Sequence, residues 1–133
     1  MTKQTNHFFA FGPFCLDPGE RVLLRAGQPL SLTPKAFETL LALVEQPGRI
    51  LEKEVLMKRV WPDAIVEEVN LAKNISTLRQ VLNGGGEANE YIETVPKRGY
   101  RFVASVKLVE AGELTLLVRE RISARIVSEE ETD

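Results

Sequence analysis

The chain has a single cysteine and a single histidine in 133 residues. Cys15 alone can form neither an internal disulfide nor a multi-cysteine metal site, and it suits a reducing compartment. It lies in an alternating apolar stretch, where a buried strand residue is a plainer reading than a nucleophile. His7 stands near a terminus with no partner motif, so neither a metal nor a cofactor is expected. Long hydrophobic runs are missing too. None approaches the ~20 residues of a membrane-spanning helix, and the first residues lack the apolar core of a signal peptide. The expectation is a soluble, cytoplasmic protein. Paired nucleophile and base are absent as well: Glu67-Glu68 falls at a helix start and Glu129-Glu130 in a tail. Catalysis is therefore not expected, and no small-molecule substrate suggests itself.

An excess of positive charge is the last absence. The net charge is −2, which argues mildly against nucleic acid, but its distribution matters more. Between Lys73 and Arg101 five cations face three anions, whereas from Lys107 to Asp133 four cations face seven anions. The acidity is gathered at the C-terminal end.

What is present is regular. The length suits one domain, or a smaller domain with a tail. Phe8 to Phe11, Phe14 to Leu16, Val22 to Arg25 and Gln28 to Leu32 are short apolar runs separated by Gly12-Pro13, Asp17-Pro18-Gly19 and Ala26-Gly27. This spacing predicts four antiparallel strands that must pack on something. Thr33-Pro34 opens a first helix with a hydroxyl cap and proline at its first position. Phe37, Leu40, Leu41 and Val44 form its apolar face, and Gly48 is expected to close it. A second helix is predicted from about Glu52 to Trp61, buried through Val55, Leu56 and Val60, with Phe37 and Trp61 in the core. Pro62 to Val66 is a loop. A third helix runs from Glu67 or Glu68 to Leu82. The following Asn83-Gly84-Gly85-Gly86 ends it and reads as a flexible linker. Tyr91 to Val95 and Tyr100 to Val103 form a hairpin. Leu114 to Val118 fits a strand, and Leu114, Val118, Ile122 and Ile126 equally fit a helical stripe; the two periods compete. Residues 129–133 read as a disordered acidic end.

The third helix carries the chemistry. Leu71, Ile75, Leu78 and Leu82 fall in one core-facing arc. Val69, Asn70, Lys73, Ser76, Thr77 and Gln80 fall opposite. An ordinary solvated helix covers that side with glutamate and lysine, yet no acid occurs from Val69 to Leu82. Amides, a hydroxyl and an ammonium can pair with base edges in a DNA major groove. The hairpin that follows places Lys97, Arg98 and Arg101 around its tip, where cations can reach a minor groove or its phosphates.

In this order and spacing, residues 8–106 resemble an OmpR/PhoB-type winged helix-turn-helix domain of the transcriptional regulatory protein C-terminal family. The resemblance rests on Leu32-Thr33-Pro34-Lys35-Ala36-Phe37-Glu38-Thr39-Leu40-Leu41, on Val60-Trp61, on Leu71 to Leu82 with Leu78-Arg79, and on Val95 to Phe102. The Val-Pro-Lys-Arg-Gly-Tyr wing is closer to one-component regulators of the CadC/ToxR kind than to response regulators. The resemblance implies an α+β fold: an N-terminal four-stranded antiparallel sheet, three helices and a C-terminal β-hairpin wing. Residues 1–7 would be an arm and 107–133 an acidic tail or linker. It implies double-stranded DNA as partner and transcription regulation as function. Carried over by position, Asn70, Lys73 and Thr77 would face bases. Val69, Asn74, Ser76 and Arg79 would lie toward phosphates, with Lys97, Arg98 and Arg101 on the wing. The loop Pro62, Asp63, Ala64, Ile65 and Val66 would be the place to contact RNA polymerase, and two copies could occupy repeated half-sites. Glu52 replaces the hydroxyl cap usual at the start of the second helix. No receiver domain fits before Phe8, and the full-length parent, if longer, could be membrane-anchored beyond Asp133. The rival from another class is a winged helix that docks on a protein and binds no DNA.

Overall fold

Alternation along the first thirty residues sorts side chains onto two faces, and strands form accordingly. In the computed structural model, which describes residues 7–83 and 91–110, β1 (His7–Phe11), β2 (Phe14–Asp17), β3 (Val22–Arg25) and β4 (Gln28–Leu30) run antiparallel in chain order. Phe11 opposes Phe14 and Leu16 opposes Leu23, so these four share one face, and all are buried. Ala26 and Gly27 join β3 to β4 with φ of 51° and 84°, a two-residue turn whose twist suits a hairpin.

This sheet has five strands, not the expected four. β8 (Lys107–Glu110) lies along the free edge of β1, from His7 opposite Glu110 to Ala10 opposite Lys107. Val109 is buried. Covering an edge removes a row of unpaired backbone groups. The residues expected to begin a tail at 107 thus belong to the sheet, and the folded unit extends at least to Glu110. His7, expected as the last residue of an arm over 1–7, is instead the first residue of β1; the rest of that arm, the glycine linker at 84–86, both readings of 114–126 and the acidic end fall outside the described residues.

α1 (Pro34–Val44) starts where the sequence predicts. The Ala36 N–H donates to Thr33 Oγ1 at 3.2 Å, which satisfies one of the free donors of the first turn. Phe37, Leu40, Leu41 and Val44 are buried. The helix is capped at Glu45 rather than closed by Gly48; the Gly48 N–H instead donates to the Phe102 carbonyl at 2.8 Å. That bond leads into a strand the sequence did not reveal, β5 (Ile50–Glu52).

α2 (Lys53–Val60) buries Leu56 and Val60, four residues apart. Val55, expected beside them, is 53% exposed. An eight-residue helix buries one stripe, and Val55 lies about 100° from Leu56. Trp61 only packs against the margin of the core. α3 (Glu68–Asn83) buries Leu71, Ile75, Leu78 and Leu82, each burial contributing about 1.5–3 kcal/mol. β6 (Ile92–Val95) and β7 (Gly99–Phe102) follow as an antiparallel pair. β5 adds to β7, so the expected hairpin is the outer part of a three-stranded sheet ordered β5-β7-β6. An aromatic cluster bridges the two sheets: Phe11 stands edge-on to Phe102 at 5.1 Å and near Tyr91 at 6.1 Å. The whole is the α+β winged-helix arrangement.

Candidate nucleic-acid interface

The same four leucine and isoleucine side chains that hold α3 in the core decide what it shows to solvent. Val69, Ala72, Lys73, Ser76, Thr77 and Gln80 are exposed along the opposite face. That face is free of acids from Val69 to Leu82. Lys73 and Thr77, expected to face bases, and Val69 and Ser76, expected toward phosphates, are all open to solvent on this face.

The flanks of α3 make bonds within the protein. Asn74, placed toward phosphates by position, donates from Nδ2 to Thr39 Oγ1 at 3.2 Å. The Thr39 hydroxyl is fully buried and itself donates to the Lys35 carbonyl at 2.8 Å. Asn74 thus locks α3 onto α1. Arg79, also placed toward phosphates, donates from Nε and Nη2 to the Ile92 carbonyl at 3.3 and 3.0 Å and to Thr94 Oγ1 at 2.7 Å. It ties α3 to the wing. Asn70 is half-buried, and its Nδ2 turns back to the Glu67 carbonyl at 3.2 Å. The signal for all three was in the helical wheel. At about 100° per residue, Asn70, Asn74 and Arg79 fall on the margins between the outward arc and the core stripe.

The wing holds its three cations unequally. Arg101 donates to the Glu93 carboxylate across the β6–β7 ladder, from Nε at 2.8 Å, so its charge is neutralised within the protein. Arg98 is exposed at the tip and stands 3.7 Å from Glu52. Lys97 is exposed beside it with φ of 67°, a left-handed turn position. Lys53, at the start of α2, stands 3.7 Å from Glu68 at the start of α3.

The loop between α2 and α3 is mostly open to solvent. Pro62, Asp63, Ala64 and Ile65 are exposed, Ile65 completely, while Val66 is half-buried. A shallow groove of about 590 Å³ runs beside the loop, lined among others by Met57, Trp61, Pro62, Ile65 and Val66. Among the described residues no group of His, Cys, Asp and Glu could hold a metal ion, and no helix is long and apolar enough to cross a membrane.

An acid-free helix face beside a cationic wing agrees with what the chain is similar to. The family described as "Transcriptional regulatory protein, C terminal" matches residues 27–102. The chain belongs to this family. Transcriptional regulator HilA of Salmonella typhi is 37% identical over 105 residues, covering 79% of this chain and 19% of the relative. The chain spans about a fifth of the length of that relative. The DNA-binding domain of E. coli CadC superimposes with a TM-score of 0.69 at 29% identity, over 81% of this chain and all of that one. The Klebsiella pneumoniae RstA DNA-binding domain, solved in complex with the RstA box, gives 0.61 at 27% identity over 72% of this chain and 96% of that one. These family members are transcriptional regulators, not enzymes.

Proposed function

We propose that this chain is the double-stranded-DNA-reading part of a transcriptional regulator, with α3 in the major groove and the wing at the minor groove. The observation that carries this reading is the outward face of α3, exposed, largely polar and acid-free, with Lys97 and Arg98 exposed on the wing. A major groove about 12 Å wide admits a helix. Lys73 and Thr77 read base edges, joined by Asn70 when it releases the Glu67 carbonyl. Val69 and Ser76 lie toward phosphates, as do Lys97 and Arg98. Asn74, Arg79 and Arg101 hold the reading surface in shape instead of touching DNA. A domain working on DNA sits in the cytoplasm. The likeness to an RstA domain solved with its box supports the same docking.

The test is a selection from genomic fragments followed by gel shifts on the enriched site. Lys73→Ala and Thr77→Ala each reduce discrimination between sites by about 1–3 kcal/mol for a lost good base contact, with the fold unchanged. Variants that keep wild-type preference overturn the facing assignment, and failure of the wild type to shift any duplex at low salt overturns the DNA reading.

Two finer partners belong to this reading. The fully exposed Ile65 and the groove beside it support a protein contact at the loop Pro62 to Val66, and RNA polymerase is the partner we propose. Ile65→Ala then lowers transcription while leaving DNA affinity as it was. Two copies on repeated half-sites is the second proposal, checked by protection of sites about 10–10.5 bp apart, centre to centre.

A further inference from the structure

Glu52 precedes α2, at the position from which a side chain commonly caps the first turn, yet it makes no capping hydrogen bond. Its place is set by the wing. β5 pairs with β7 so that Glu52 opposes Gly99, and the Lys53 N–H donates to the Arg98 carbonyl at 3.1 Å. A Cβ on Gly99 would overlap the Leu51 carbonyl oxygen, so only glycine lets the two backbones come this close. The Glu52 carboxylate is thereby held 3.7 Å from the Arg98 guanidinium, with the two side chains 60% and 56% exposed. Lys53 and Glu68 form a second such pair at 3.7 Å in the same notch, which Lys97 and Glu54 also line. The notch thus sets three carboxylates against three cations.

We infer that Glu52 is an electrostatic brake on phosphate binding by the wing, acting through Arg98. This rests on the DNA reading above. Arg98 must leave Glu52 to meet a phosphate, and the ladder keeps the carboxylate beside the spot where that phosphate arrives. Phosphate contacts are the same for every sequence. A brake on them shortens residence on random DNA and leaves discrimination to the base-facing side of α3.

The experiment measures binding of a random-sequence duplex against salt for the full chain, Glu52→Gln, Arg98→Ala and the double variant. Glu52→Gln tightens binding about threefold to fivefold at low salt, the scale of an exposed ion pair. It steepens the salt slope by less than one, since Arg98 already reaches the phosphate in the wild type and only its competition with Glu52 is removed. Its melting temperature stays that of the wild type, because the side chain is exposed and caps nothing. Glu52→Asp, which keeps the charge, binds like the wild type. In the Arg98→Ala background the gain from Glu52→Gln falls below about twofold, since the partner it restrained is gone. An equal gain with and without Arg98 overturns the inference and leaves only a change in overall charge. No gain at all overturns it as well. If neither the wild type nor any variant binds duplex at low salt, the DNA reading itself fails, a result distinct from both.

Discussion

Where α1 meets α2, Glu38 accepts from Arg21 at 2.8 Å and from Arg59 at 2.7 Å, and Arg59 also reaches Glu45 at 3.0 Å. At the wing, Arg98 with Glu52 and Lys53 with Glu68 stand apart at 3.7 Å. Both clusters pair cations with glutamates, but the first is tight and partly sheltered, with the Glu38 side chain 22% exposed against 60% for Glu52. Burial alone would raise the pKa of Glu38; the hydrogen bonds and charges of Arg21 and Arg59 outweigh it, and the carboxyl is held below its ordinary 4.5. Arg59 is pushed above its ordinary value, first by its hydrogen bond to Glu45. The first cluster joins the β2–β3 turn, α1 and α2 within the fold. The second leaves its charges within reach of a partner. Distance and shelter, more than residue identity, separate charges that hold the molecule together from charges left open to a partner.

Arg79 gives the largest expected break in this comparison, because it is a cation of the interface side employed as a structural tie. Arg79→Ala removes charge-assisted bonds to Ile92 and Thr94 and should cost about 2 kcal/mol. For a domain of this size that lowers the melting temperature by on the order of 10 °C. An unchanged melt would return Arg79 to the phosphate-facing set.

Glu38→Gln should cost about 1 kcal/mol, since its partners are partly exposed, and should leave DNA affinity unaltered. The sign of its pH dependence follows from the lowered pKa. Its stabilisation is fully present above the ordinary value of 4.5 and fades as pH falls through the lower folded value. Wild type and variant therefore differ in thermal melting at neutral pH and converge in acid. A difference that persists unchanged at low pH would deny Glu38 its charged role.

Arg98→Ala should change stability least, within about 0.5 kcal/mol, while lowering the salt slope of DNA binding by about one. Salt-dependent gel shifts and a thermal melt together decide it. A large loss of stability with an unchanged slope would place Arg98 with the structural cluster and erase the contrast.

Much of this was legible in the residues themselves. Thr33-Pro34 announces α1, the leucine and isoleucine stripe announces α3, and the turn residues announce β1 to β4. The acid-free arc of α3 and the Lys97-Arg98 tip needed no coordinates either. β5 and β8 were not legible. Ile50-Leu51-Glu52 and Lys107-Leu108-Val109-Glu110 are too short to establish a period of two, and each becomes a strand only because an open edge, on β7 or β1, lies beside it. The internal bonds of Asn74 and Arg79 were not legible for a related reason: each sits on a flank of α3 where another element comes within hydrogen-bond reach.

The sequence by itself determined the helices, the turns and the chemistry of the outward face of α3, because periodicity, capping and turn preference act over a few residues. The tertiary structure alone decided which charges remain available. Glu52 meets Arg98 across 46 residues and Arg21 meets Glu38 across 17. Pairings at such separations exist only once the chain has folded, since nothing local distinguishes a cation that will be neutralised from one that will not.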